Sequence, residues 1–153
     1  MHIIIVLLLA SIDQISKYFV LELLKFSNAV VLIDNFLRLN YVENRGAAFG
    51  ILQNQQLFFI VITLMVVLAV VVYRIRYKGF NKVANFALDL IIAGALGNLV
   101  DRVRLNYVVD FIDVNFWGYY DFPVFNFADI CVVVGTLLLA LLIILDKYEM
   151  DKI

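Results

Sequence analysis

This chain of 153 residues has one histidine, one cysteine and one proline. The histidine, His2, stands at the extreme N-terminus. That excludes histidine-based catalytic triads and argues against a zinc site. Cys131 is alone, so the chain holds neither a disulfide framework nor a cysteine-based metal cluster. Charge is scarce as well: Asp, Glu, Lys and Arg make up 16% of the residues, and the formal net charge is −1. There is therefore no electrostatic case for nucleic acid. Any chemistry must run on carboxylates, amides, hydroxyls, Lys or Arg, with no metal and no cofactor called for.

What remains is largely hydrocarbon. Hydrophobic residues make up 65% of the chain, against ~45–50% in a soluble domain. A soluble fold of this length could not hide so much apolar surface. The apolar runs fall near residues 3–24, 57–73, 83–100 and 126–145, and several reach the ~20 residues a bilayer needs. The opening HIIIVLLLAS resembles a signal-peptide core, but it lacks a basic n-region and a small-residue cleavage site, so it reads as a retained helix. The expectation is a mainly α, polytopic membrane protein, a single domain over residues 1–153. It has four transmembrane helices and a small extracytoplasmic β-rich or loop region. Arg74, Arg76, Lys78 and Lys82 crowd one loop without an acid, which makes that loop and both termini cytoplasmic. The connection 103–125 carries Asp110, Asp113 and Asp121 against Arg104 alone, as an outer loop does. Trp117, Tyr119 and Tyr120 suit the headgroup level there, and Pro123 holds Phe122 extended before the last helix. In the connection 25–56, alternation at 29–33 and 36–42 predicts short extended segments. Asn44-Arg45-Gly46 is a turn signal, followed by the small, apolar Ala47-Ala48-Phe49-Gly50.

Carboxylates inside such a chain are costly, at ~2.5–3.5 kcal/mol for a charge at the bilayer centre. Asp13 and Lys17 lie one turn apart on one helix face. They make a simple ion pair that eases insertion, or Asp13 faces the bundle and braces a site, and both can hold. Asp89 lies near the cytoplasmic boundary, facing other helices, with no role accounted for. Gly94, Asn98, Asp101 and Arg102 share a face of the third helix. Ala93 and Gly97 form a small-xxx-small pair that lets a helix approach. Asn126 and Asp129 share a face of the fourth helix with Val133 and Thr136. Both long connections and the outer ends of helices three and four meet on one side, which brings Asp110 and Asp129 to the same depth. Two such aspartates can share one proton, their pKa values driven apart. One then activates water and the other protonates a carbonyl oxygen or leaving amine. The plainer reading is that they cap helices and pair with Arg102 or Arg104. Asp101 is a rival second carboxylate, although with Asn98 and Arg102 it looks more like a brace. A different class, a proton or cation carrier, also uses intramembrane carboxylates, but typically at the midplane of repeated halves. A scaffold for other membrane proteins would not need this polar convergence.

At these residues the chain resembles the lipoprotein signal peptidases (signal peptidase II) of bacteria over essentially its whole length. Asp13-Gln14-Ile15-Ser16-Lys17 is similar to the family's first-helix motif, and Asn44-Arg45-Gly46-Ala47-Ala48-Phe49 to its NxGAAF motif. The stretch from Gly94 to Arg102 resembles GALGNxxDR, with Ala93 where many members have another glycine. Val108-Val109-Asp110-Phe111 and Phe125-Asn126-Phe127-Ala128-Asp129 resemble the two motifs of the catalytic aspartates. The resemblance implies Asp110 and Asp129 as a catalytic dyad. It implies Asp13, Lys17, Asn44, Gly46, Asn98, Arg102, Asn126 and Ala128 as supporting or substrate-orienting positions, and Asp101 stands with them as the brace read from the helix face. It further implies a diacylglyceryl-modified prolipoprotein as substrate, cut on the N-terminal side of the lipidated cysteine. A globomycin-type cyclic peptide is the implied inhibitor, and the enzyme is expected as a monomer among membrane lipid in the bacterial cell membrane. The active site is expected at the outer leaflet boundary. Gly94 and Gly97 are expected to offer the substrate helix packing room, and the first connection to close over the scissile bond.

Overall fold

The computed structural model describes residues 2–46, 51–77 and 79–149. The motif positions Ala47, Ala48 and Phe49 therefore lie outside the described residues, as does Lys78. The element order is α1 (His2–Leu24), β1 (Val30–Ile33), β2 (Leu37–Asn44), α2 (Gln56–Arg76), α3 (Lys82–Leu105), β3 (Val108–Val114) and α4 (Phe127–Ile144). All four helices are long and apolar enough to cross a membrane. Their exposed faces carry Ile3, Leu7, Leu57, Met65, Leu68 and Leu137. In water such a surface would be untenable, whereas lipid solvates it.

The interior reverses the usual pattern. Asp13, Lys17, Asp89, Asp101, Asp110 and Asn126 are all at most 3% exposed. In a bilayer such groups must find partners within the protein, and here they do.

Helix α3 is the hub, touching α1, α2 and α4. It meets α4 where Gly94 lies against Ala128 and Ala87 against Gly135, so the two backbones run close. A Cβ at Gly94 would strike the carbonyl oxygen of Ala128. At Gly97 it would come within 2.5 Å of Asp13 Oδ2 and 3.2 Å of Ala128 Cβ. This corrects the expectation that Gly94 and Gly97 leave room for a substrate helix: α1 and α4 already occupy that space. Helix α2 is the outlier, with no buried residue at all.

The strands form an antiparallel sheet in the order β1-β2-β3. The extended segments expected at 29–33 and 36–42 are β1 and β2. Strand β3 was not foreseen. Its apolar run is buried on both faces, so it lacks the alternation that marks a half-exposed strand. Val109 and Phe111 pack with Val20 and Leu24 of α1, and Asp110, between them in sequence, points to the opposite face. Pairing places Val42 opposite Asp110 and Asn44 opposite Val108, after a register shift between Leu39 and Val42.

The end of the bundle opposite the sheet has its own core, in which Phe80, Ala84 and Leu88 pack with Tyr77, Leu142 and Tyr148. Asp89 finds its role here. Fully buried, it accepts from Arg74 Nη1 at 2.6 Å and lies 2.8 Å from His2 Nδ1, joining α1, α2 and α3.

Candidate active site

Asp110 is delivered by β3, and β3 is positioned from both ends. Helix α3 stops at Asn106, whose left-handed conformation (φ 61°) turns the chain directly into the strand. Asp101, in the last turns of α3, then accepts from Val109 N at 3.1 Å and fixes the strand against the helix. On the other side, Phe125 N donates to Ile112 O at 3.1 Å, and Phe125 O accepts from Ile112 N at 2.8 Å. That bridge sets Asn126, the next residue, beside Asp110.

Asn126 also starts α4. Its side chain accepts from Asp129 N at 3.0 Å, and Asp129 Oδ2 accepts from Asn126 N at 3.1 Å. The pair is a capping box with an aspartate in the third helical position. Asp129 is thereby held at the positive end of the α4 dipole. Asn126 Nδ2 reaches Asp110 Oδ1 at 2.6 Å and Asn98 Oδ1 at 3.1 Å. Asn98 in turn donates through Nδ2 to Asp129 Oδ1 at 2.8 Å. The two aspartates are therefore linked through two side-chain amides. Asn44 joins the edge of this ring of polar groups, donating to Asp110 Oδ2 at 2.8 Å while its own Oδ1 accepts from Gly46 N at 3.0 Å.

Behind this ring lies a buried ionic cluster. Lys17 Nζ meets Asp13 Oδ2 at 2.9 Å, Asp101 Oδ2 at 3.1 Å and Asn98 Oδ1 at 2.8 Å, so all three of its protons have acceptors. Asp13 Oδ1 accepts from Ala128 N at 2.9 Å, so an aspartate of α1 satisfies an orphan donor in the first turn of α4. Ala128 is fully buried and leaves no room for a larger side chain. Gln14 Nε2 holds Asp101 Oδ1 at 2.9 Å and Gly97 O at 3.1 Å. Sequence reasoning had not singled out Gln14. Its position next to Asp13 in the first-helix motif was the available signal.

Asp110 and Asp129 line one cavity of about 840 Å³, together with Asn44, Gly46, Asn98 and Arg102. Its deeper wall is apolar, from Ile62 and Val66 on α2, Ile91 and Ala95 on α3, and Val132 to Val134 on α4. Asp101, Asp13 and Lys17 do not line it. Asp101 sits in the ionic cluster, and Asp113 pairs instead with Arg38 Nε at 2.6 Å on the sheet. Arg102 Nη2 donates to Gly46 O at 3.3 Å. Burial pushes the Asp110 carboxyl up to about 7, and the nearby Asp129 charge adds to the rise, while the amides of Asn44 and Asn126 partly oppose it. Among the described residues, no three His, Cys, Asp or Glu side chains gather into a metal-binding group. The arrangement sets two carboxylates, Asp110 and Asp129, on the wall of one largely apolar cavity.

Residues 4–145 match the family model for signal peptidase (SPase) II. The chain belongs to the signal peptidase II family. It is 44% identical over 151 residues to the lipoprotein signal peptidase of Clostridium acetobutylicum, covering 99% of this chain and 98% of that one. It is 48% identical over 145 residues to that of Caldanaerobacter subterraneus subsp. tengcongensis, covering 94% and 96%. A bacterial membrane enzyme solved by the in meso method at 2.3 Å superposes with a TM-score of 0.88 at 37% identity, covering 99% of this chain and 93% of that chain. A second, at 1.9 Å, gives 0.84 at 38% identity, covering 95% and 93%. As a signal peptidase II family member with four membrane-spanning helices, the chain is a multi-pass peptidase of a bacterial membrane. Membership decides for a peptidase over a carrier.

Proposed function

We propose that this enzyme removes signal peptides from diacylglyceryl-modified prolipoproteins by an aspartate-dyad mechanism. It cuts on the N-terminal side of the lipidated cysteine, with Asp110 and Asp129 as the reacting carboxylates. The observation that carries the reading is that these two carboxylates line one cavity and are joined by the Asn98–Asn126 amide pair.

Asp110, with its carboxyl raised to about 7, is the general acid, and Asp129 is the general base. Water held between them loses a proton to Asp129 as its oxygen bonds to the scissile carbonyl carbon. Asp110 gives its proton to the carbonyl oxygen, forming a neutral gem-diol. In the second half the carbon–nitrogen bond breaks and the amine takes the proton from Asp129. One diol hydroxyl returns its proton to Asp110 as the carbonyl re-forms. The products are a signal peptide with a new carboxyl end and a lipidated cysteine with a free α-amino group. Closing the site to bulk water strengthens each of these interactions.

Asn44, Asn98 and Asn126 orient the dyad. Asp13, Lys17, Asp101 and Ala128 support it from behind, while Gly46 and Arg102 face the substrate. Residues 1–153 act as one peptidase domain and work as a monomer. The positive-inside rule puts both termini in the cytoplasm and the site at the outer leaflet boundary, where a lipid anchor holds the scissile bond. A globomycin-type cyclic peptide occupies the same cavity.

The test is incubation of purified protein with a diacylglyceryl-modified prolipoprotein and with its unlipidated form, with products read by mass spectrometry. Cleavage of the lipidated form alone, with the cysteine as the new N-terminus, supports the reading. Cleavage elsewhere, or of neither form by folded protein, overturns it.

A further inference from the structure

Phe59, in the first turn of α2, carries its ring 4.9 Å from the Arg102 guanidinium carbon. A guanidinium over an aromatic face is attracted by the ring quadrupole, and its flat shape stacks well there. Arg102 has few other holds. Its hydrogen bond to Gly46 O is long, at 3.3 Å, and its buried Nε has no acceptor among the described residues. Without the ring, so flexible a side chain would have several rotamers open to it.

The placement of Phe59 on α2 gives the contact a consequence. Phe59, Ile62, Thr63 and Val66 follow the spacing i, i+3, i+4, i+7 and share one face of the helix. The last three line the cavity, and Phe59 itself does not. Although α2 buries no residue, the Phe59–Arg102 contact links its first turn to α3. Arg102 lines the cavity beside both aspartates.

We infer that Phe59 is a positioning residue for the peptidase reaction. Its ring fixes the Arg102 guanidinium at the cavity, with donors free to meet backbone carbonyls of an extended substrate beside the scissile bond. The inference rests on the cleavage reading proposed above. It adds a residue that acts on substrate only through Arg102.

The experiment replaces Phe59 by Leu, by Tyr, and by phenylalanines of increasing ring fluorination, which drains the quadrupole with little change in size. Phe59→Leu is expected to raise KM for the lipidated prolipoprotein about three- to tenfold with kcat little changed. Phe59→Tyr restores KM, and the fluorinated series raises it stepwise while the melting temperature stays put. Substrate binding to Asp129→Asn protein, with and without Phe59→Leu, reads the same loss without turnover. That keeps a failure of the inference separate from a failure of the dyad. An unchanged KM in Phe59→Leu overturns the inference. So does a flat fluorination series beside an elevated Leu variant, which would mark a packing effect.

Discussion

Asn126 donates a hydrogen bond to Asn98 across 3.1 Å, and each of these amides also donates to one of the two cavity aspartates. The amide pair is a rigid spacer between two carboxylates that come from different elements. It fixes their separation without a charge of its own. Asn98 also takes the Lys17 ammonium on its oxygen at 2.8 Å, which fixes the amide orientation and leaves its nitrogen facing Asp129. Asn98→Ala is therefore expected to lower kcat about ten- to a hundredfold, the scale of one lost buried hydrogen bond. Asn98→Asp should be worse, since it sets a third carboxylate between the two. Steady-state kinetics on the lipidated substrate checks both; parent-like kcat in Asn98→Ala would refute the spacer role.

The pH profile follows from Asp110. Its carboxyl is raised to about 7, first by burial and then by the Asp129 charge. As general acid it must be protonated, and the protonated form is lost as pH rises through that value. The account predicts that kcat/KM, which reports the free enzyme, falls above about pH 7 and approaches a tenfold drop per unit. A profile flat from pH 6 to 9 would remove Asp110 from the acid role.

Lys17 is nearly fully buried and neutralises part of the charge of Asp13 and Asp101. Lys17→Met leaves both carboxylates without their cation, and removing one partner of a buried pair costs about 3–5 kcal/mol. The variant is expected to melt well below the parent in detergent or lipid. Adding Asp101→Asn to Lys17→Met should recover part of the loss. A melting temperature for Lys17→Met equal to the parent's would contradict the bracing role.

At the opposite end of the bundle, Arg74 and Asp89 make the equivalent junction between α2 and α3. Arg74→Gln leaves the fully buried Asp89 carboxylate with His2 as its remaining partner and is expected to cost roughly 3 kcal/mol in stability. The folded fraction should keep a parent-like kcat, because the junction lies far from the cavity. Thermal unfolding and active-site-normalised turnover separate the two effects. A large loss of kcat with unchanged stability would mean that this end communicates with the site.

The helices were legible because lipid demands long apolar runs, and the runs announce themselves. Asp13 and Lys17 could be paired from spacing alone, since both stand on one helix face. The partners of Asp89 could not: His2 lies 87 residues away and Arg74 lies across a loop. Asp101 was a rival for the dyad, although the helix face it shares with Asn98 and Arg102 made it look more like a brace. In three dimensions Lys17, Gln14 and Val109 N claim its oxygens instead. Strand β3 was hidden because burial on both faces erases the period of two. The capping box at Asn126 and Asp129 was written in the spacing, four residues with polar ends, yet the link from Asn126 to Asp110 needed the bridge at Phe125. The resemblance to a known family supplied the dyad assignment that pattern alone left open.

The most direct measurement is single-turnover cleavage of a diacylglyceryl-modified prolipoprotein by the parent, Asp110→Asn and Asp129→Asn, each first checked for folding and for substrate binding. General acid and base steps are each worth about 10²–10⁴-fold. The account predicts loss of at least that size in both variants, with binding retained. Turnover within tenfold of the parent in either one would contradict the dyad.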